Sequence, residues 1–251
     1  MKKFGILFSV SAVLAAGIAF AMSDTPEETV KTEATPVVEA TPVAKAPAAK
    51  AHDHAAHAKP AAKNAPVMMM SPLALEALRV KDDDYFEGAA DAPVTIIEYL
   101  SLTCGHCANF HNNIYPAIKK KYVDTGKVRF VTREMAWGNL ATAVAKVIRC
   151  VPDDQKSNML SLFFKTQDAW SKKDQLNEIR KVARMGGLTG EKVDACIRAE
   201  DTQMTVISNT KTAQETLGVT ATPSFFVGNM RFRGVQTVEE LSVEIEKQLN
   251  K

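Results

Sequence analysis

Apolar positions along the chain change spacing several times, and each change predicts a different kind of structure. Phe4 to Phe20 is an almost unbroken apolar stretch behind Lys2 and Lys3. From Met22 to about Pro66 there is no Leu, Ile, Phe, Tyr or Trp, and prolines recur at 26, 36, 42, 47, 60 and 66. Such a segment buries too little apolar surface to offset its conformational entropy, so residues 22–70 are expected to form a disordered, partly extended tether. Ordered sequence begins at Ser71-Pro72, a helix start followed by Leu73, Leu75, Leu78 and Val80. An acidic turn at Asp82 to Asp84 leads to Pro93–Leu100, apolar on nearly every position as in a strand covered on both faces.

A helix is then expected from Gly105 to about Asp124, kinked at Pro116, and a parallel strand from Val128 to Arg133. Helical spacing dominates residues 138–217: Leu140, Val144, Val147 and Ile148, then Met159, Leu162, Phe163 and Trp170, then Leu176, Ile179 and Val182. Breaks at Pro152-Asp153-Asp154 and Gly186-Gly187, with Thr189 as the next cap, divide this block into four or five helices. Strand character returns at Ser224–Val227 and Arg231–Arg233 across Gly228-Asn229, and an amphipathic helix from Thr237 to Leu249 closes the chain. The predicted order within 71–251 is β-α-β, a helical insertion, then β-β-α: an α/β class.

Composition narrows the functional classes. A chain of 251 residues can bury a core without staples, and a net charge of +2 gives no reason to invoke nucleic acid as a partner. The basic start, the apolar stretch and the small-x-small pattern Ala19-Phe20-Ala21 predict a cleavable export signal over residues 1–21; a retained membrane anchor is the alternative. No cysteine follows that stretch to take a lipid. Export would place the four cysteines, at 104, 107, 150 and 196, where disulfides persist. Only one Cys-x-x-Cys is present, so a zinc ribbon on these cysteines is not expected. In the tether, His52, His54 and His57 with Asp53 are weak metal candidates, because a flexible tract offers no surrounding groups to hold the imidazoles. No cofactor is expected.

The chemistry concentrates at Cys104-Gly105-His106-Cys107, which sits at a strand-to-helix junction. There the first sulfur lies at the positive end of the helix dipole beside unpaired N–H groups, which favours a thiolate at Cys104. A free thiol, with a pKa of about 8.5, is only ~3% ionised at neutral pH, so such fields decide reactivity. Cys104 is the expected attacking sulfur, Cys107 the more shielded resolving one, and the His106 imidazole a further stabiliser of the thiolate. Stabilising the thiolate stabilises the reduced form, which makes the pair an oxidant.

The run Thr95 to Cys107, TIIEYLSLTCGHC, resembles the active-site strand and helix of the DsbA family of bacterial disulfide oxidases. The run Gly218 to Asn229, GVTATPSFFVGN, is similar to that family's cis-proline segment. The resemblance covers roughly Asp91 to Leu249 and implies a thioredoxin fold interrupted by a helical domain, in a protein of the periplasm. It further implies that Pro223 follows Thr222 through a cis bond facing the disulfide, where the Thr222 backbone pairs with an extended substrate, and that Glu98 is a buried proton acceptor near Cys107. Some relatives carry a second cysteine pair; Cys150 and Cys196 are accordingly expected to be joined, with two buried free thiols as the alternative.

The dipeptide Gly105-His106 departs from the Pro-His of the best-known members and matches that of protein disulfide isomerases, and Thr222 also departs from them. These departures leave three functions to separate. The first is a disulfide donor to reduced exported polypeptides, reoxidised by a DsbB-like membrane quinone reductase. The second is an isomerase or reductase kept reduced by another membrane partner. The third is a non-catalytic metal-binding or holdase protein in which Cys104 and Cys107 are structural.

Overall fold

In the computed structural model, residues 64–66 and 71–251 are described. The stretches expected to form an export signal and most of a tether, and the candidate metal ligands His52, His54 and His57, lie outside the described residues.

Six strands form one mixed sheet. β1 (Asn64–Pro66) is followed by α1 (Pro72–Ala77), whose first turn is capped by the Ser71 hydroxyl accepting from the Ala74 N–H. β2 (Tyr85–Glu87) and β3 (Val94–Leu100) precede α2 (Gly105–Asn109), from which the chain stays helical through α3 (Tyr115–Ile118) to residue 123. β4 (Val128–Glu134) lies parallel to β3, with Glu98 opposite Thr132. The helical insertion comprises α4 (Asn139–Arg149), α5 (Asp153–Lys165), α6 (Gln167–Trp170), α7 (Gln175–Met185), α8 (Gly190–Arg198) and α9 (Glu200–Lys211). β5 (Ser224–Val227), β6 (Met230–Arg233) and α10 (Val238–Leu249) complete the chain. The strand order is β1-β6-β5-β3-β4-β2, with every pairing antiparallel except β3 with β4.

Alternation along β3 explains the layers. Ile96 packs with Phe110, Ile118, Phe225, Leu241 and Ile245, on the face covered by residues 105–123 and α10. Ile97 and Tyr99 point the other way, into a cluster with Ala74, Val131, Leu217 and Phe226. With β4 and β5 as neighbours, β3 has both faces and both edges covered, which is why it reads as a continuous apolar run. A third cluster fills the insertion around Phe163, Phe164 and Trp170 and reaches Cys107.

Several local details differ from the sequence reading. Asn64–Pro66, placed in the tether by composition, pairs with β6 as an edge strand, the position in a sheet where a proline is tolerated. β2 and β1 are three residues each, too short to show alternation. The insertion holds six helices rather than four or five. Pro116 is accommodated by wider π-type turns at Phe110–Ile114 and Lys119–Val123 on either side of α3, in which, for example, the Tyr115 N–H reaches back to the Phe110 carbonyl. Asp84, expected in an acidic turn, is buried against Arg133, whose guanidinium also donates to the Ala77 and Arg79 carbonyls and the Tyr99 hydroxyl. That network ties the chain after α1 to β4. Arg149 of α4 makes a second buried pair with Glu134 and fastens the insertion to the end of the same strand.

Cys150, at the end of α4, is bonded to Cys196 in α8, with their Cα atoms 5.9 Å apart. Among the described residues no helix is long and apolar enough to cross a membrane, and no cluster of three or more metal-capable side chains occurs.

Candidate active site

β3 ends at Leu100, and the chain turns over Ser101, whose carbonyl accepts the Cys104 N–H at 3.0 Å. Cys104 is the N-cap of α2 and keeps extended backbone angles, so its sulfur stands at the mouth of the helix while its carbonyl takes the Ala108 N–H. Cys107, one turn in, is fully buried against the core of the insertion. Both are free thiols. Gln167 of α6 reaches across to donate to the Leu102 and Cys104 carbonyls at 2.7 and 3.2 Å, so a side chain of the insertion holds the turn that presents the sulfur.

The opposite wall comes from the other end of the chain. Thr222-Pro223 is a cis peptide, and Cys104 Sγ lies 3.4 Å from the Thr222 carbonyl oxygen. Thr222, Pro223 and the two cysteines are thus brought together, as the family resemblance implies.

The two thiols are pushed apart in acidity. The Cys104 pKa falls to about 5, because the Cys107 thiol hydrogen-bonds its sulfur, the Thr222 side chain does the same, and the backbone N–H groups of Cys107 and His106 point at it; partial burial opposes these but loses. At that value ~99% of Cys104 is thiolate at pH 7. The Cys107 thiol is driven well above its ordinary value, first by burial, then by its bond to Cys104 and by the negative charges of Glu98 and Cys104. His106 contributes through its backbone: its ring is exposed and makes no hydrogen bond to either sulfur. A hydrogen bond from the imidazole, one of the two ways in which the ring was expected to stabilise the thiolate beside its positive charge, is therefore not made, because the helix start turns the side chain outward while aligning the N–H with the sulfur.

Glu98 is fully buried on the Ile96 side of β3, the side that faces the helix carrying Cys107. Its Oε2 is 2.8 Å from His111 Nε2, while Oε1 has no hydrogen-bond partner among the described residues. His111 and Gln167 were not singled out from sequence. His111 lies one helical turn beyond Cys107, a spacing that could have flagged it; nothing local marks Gln167.

A family model described as thioredoxin matches residues 81–247. A protein of Rickettsia bellii (strain RML369-C) named as a protein-disulfide oxidoreductase is 33% identical over 176 residues, 67% of this chain and 66% of that protein. Its namesake in Rickettsia felis (strain ATCC VR-1525 / URRWXCal2) is 30% identical over 68% of this chain and 62% of its own length. The chain therefore spans slightly less than two thirds of these relatives. The crystal structure of Wolbachia pipientis alpha-DsbA1 superposes with a TM-score of 0.66 at 27% identity, covering 70% of this chain and 95% of that one. With the sheet order, the inserted helices and the Cys104 to Cys107 turn facing Thr222-Pro223, these matches establish that the chain belongs to the thioredoxin family, in its DsbA-like branch.

Proposed function

We propose that the protein is a thiol-disulfide oxidoreductase that introduces disulfides into reduced polypeptides exported to the periplasm. The observation that carries this reading is the split between the two sulfurs: Cys104 held near 5 and partly open to solvent, Cys107 buried and pushed up. In the oxidised enzyme a substrate thiolate attacks Cys104 Sγ, the Cys104–Cys107 bond breaks, and Cys107 leaves as a thiolate that takes up a proton. A second substrate thiolate then attacks the substrate sulfur of the mixed disulfide, and Cys104 departs as the stable thiolate. Two electrons pass from substrate to enzyme, and a DsbB-like membrane quinone reductase is the proposed route for removing them. Glu98 is the proposed proton partner of Cys107, and the backbone at Thr222 and Pro223 the proposed seat for an extended substrate. Periplasmic location rests on the apolar stretch Phe4 to Phe20 behind Lys2 and Lys3, read as an export signal.

Equilibrating the Cys104/Cys107 pair with glutathione tests the direction of electron flow. A potential near −120 mV, the level of a strong oxidant, is expected; one near −270 mV, the level of a thioredoxin, would overturn donation in favour of reduction. In the same preparation Cys104→Ser should abolish oxidation of a reduced peptide, and Cys107→Ser should accumulate mixed disulfides on Cys104. A Cys107→Ser protein that traps nothing would reverse the assignment of roles.

A further inference from the structure

Burial gives the proposed proton partner a difficulty. Glu98 is fully buried and so cannot trade protons with bulk water directly, yet each passage of the pair between dithiol and disulfide requires Cys107 to gain or lose a proton. Among the described residues, the single hydrogen-bonding contact of the Glu98 side chain is His111, 2.8 Å away. On its other side, His111 lines a surface groove of about 410 Å³, together with Glu87, Tyr115, Lys119, Asp154 and Ser161.

The geometry points to His111 as the proton conduit between Glu98 and solvent, a positioning residue that serves Cys107 through the carboxylate. Its ring stands in the wall between the core and the groove, with a side chain only 6% exposed. Nε2 faces Glu98, whereas Nδ1 has no partner among the described residues and is not among the polar atoms sealed from solvent. The ring is held in that orientation by stacking on Phe164 of α5, with centroids 4.8 Å apart and planes 19° off parallel, and by Phe110 edge-on at 5.5 Å. The titratable groups around it are Glu98 from β3, Cys107 and Tyr115 from its own helix, and, across the groove, Glu87 from β2, Lys119, and Asp154 from α5. Tyr115 donates to Glu87 at 2.7 Å and Lys119 pairs with Glu87 at 3.2 Å, so that carboxylate is already engaged and Glu98 is the acid hydrogen-bonded to the imidazole.

The proton balance follows. When the Cys107 sulfur attacks a mixed disulfide on Cys104, the Cys104–substrate S–S bond breaks, the Cys104–Cys107 bond forms, and the substrate leaves as a thiolate. The Cys107 proton passes to the unpartnered Oε1 side of the Glu98 carboxylate once the two groups close to hydrogen-bond distance, from there to His111 Nε2, and Nδ1 releases one to groove water. Reduction of the pair runs the same path inward, which restores the tautomer for the next cycle. A histidine suits this position because one ring nitrogen can accept while the other donates.

This inference rests on the exchange chemistry proposed above, and one experiment separates the two. Reduced full-length protein is mixed with oxidised glutathione from pH 5 to 9, and quenched samples report formation of the mixed disulfide and then release of the second glutathione. Failure of the unsubstituted protein to form and resolve that intermediate would overturn the exchange chemistry itself. Given resolution, His111→Gln should leave the first phase unchanged and slow the second about tenfold or more, with an altered pH profile. His111→Ala opens a hole onto the groove, and added imidazole should restore its second phase in a saturable manner. Unchanged resolution in His111→Gln, or a slowed His111→Ala protein indifferent to imidazole, overturns the conduit. Should the alanine protein not fold, the glutamine variant decides alone: slowing confined to the second phase supports the inference, and wild-type resolution overturns it.

Discussion

At the scale of single residues, the depressed acidity of Cys104 links reactivity to stability. A thiol whose folded pKa lies near 5, against an ordinary value near 9, stabilises the reduced fold relative to a form that has no thiolate there. That contribution is complete above about pH 9, diminishes as the pH falls, and is gone below about pH 5. Cys107, displaced the other way, stays a thiol in the fold, so it adds nothing to the slope through neutral pH and opposes Cys104 only as the unfolded thiol ionises towards pH 9. Urea unfolding of the dithiol and disulfide forms at several pH values should therefore show the reduced protein ahead at neutral pH, with the gap closing towards pH 5. A gap that stays constant from pH 9 to 5 would mean that Cys104 is not the titrating group. The cysteines were legible as a pair because the motif is local. Which part of His106 acts on the sulfur was not, because a helix start decides whether the ring or the N–H points inward.

Among the elements, long and strongly patterned segments were readable, and short or partner-dependent ones were not. β3 and α10 announce themselves through seven and twelve residues of consistent burial pattern and, for α10, a capping box between Thr237 and Glu240. β2 has three residues, and what makes it a strand is backbone pairing with β4 rather than anything in its own side chains. Asp84 reads as turn chemistry until Arg133, 49 positions away, supplies the partner that lets it be buried. Cys150 and Cys196 required compartment and family to suggest a bond, which in the fold clamps α4 to α8 across 46 residues. By chain entropy such a loop contributes up to about 4 kcal/mol. Replacing both cysteines by alanine should lower the stability of the protein by ~2 to 4 kcal/mol in urea, while glutathione exchange at Cys104 changes less than twofold. A loss of exchange as large as the loss of stability would show that the clamp also shapes the active-site turn.

For the whole molecule, the site is assembled from three stretches far apart in sequence: the turn at Cys104, the Gln167 side chain, and Thr222-Pro223. Motif resemblance could locate the first and third, since each is a contiguous signature. The insertion's hold on the turn depends on how α6 docks, which no local pattern encodes. The same limit governs where the folded unit begins. Composition alone would end the tether at residue 70, yet Asn64–Pro66 pairs with β6, so that β6 is not an edge of the sheet. Two deletions separate these boundaries. Removing residues 22–60 should leave the melting temperature and the oxidation of a reduced peptide unchanged, because it spares β1. Removing 22–66 takes away a three-residue ladder, worth about 1 kcal/mol per lost hydrogen bond, and exposes the backbone groups of β6. That longer deletion should lower the melting temperature by several degrees, an expectation from ~1 kcal/mol in a domain of this size, and promote self-association through the newly open edge. Catalysis should persist in it, since the Cys104 turn lies on β3 at the centre of the sheet and β1 at its far edge. Equal melting temperatures for the two deletions would show that β1 contributes nothing to the fold and would return the boundary to residue 70.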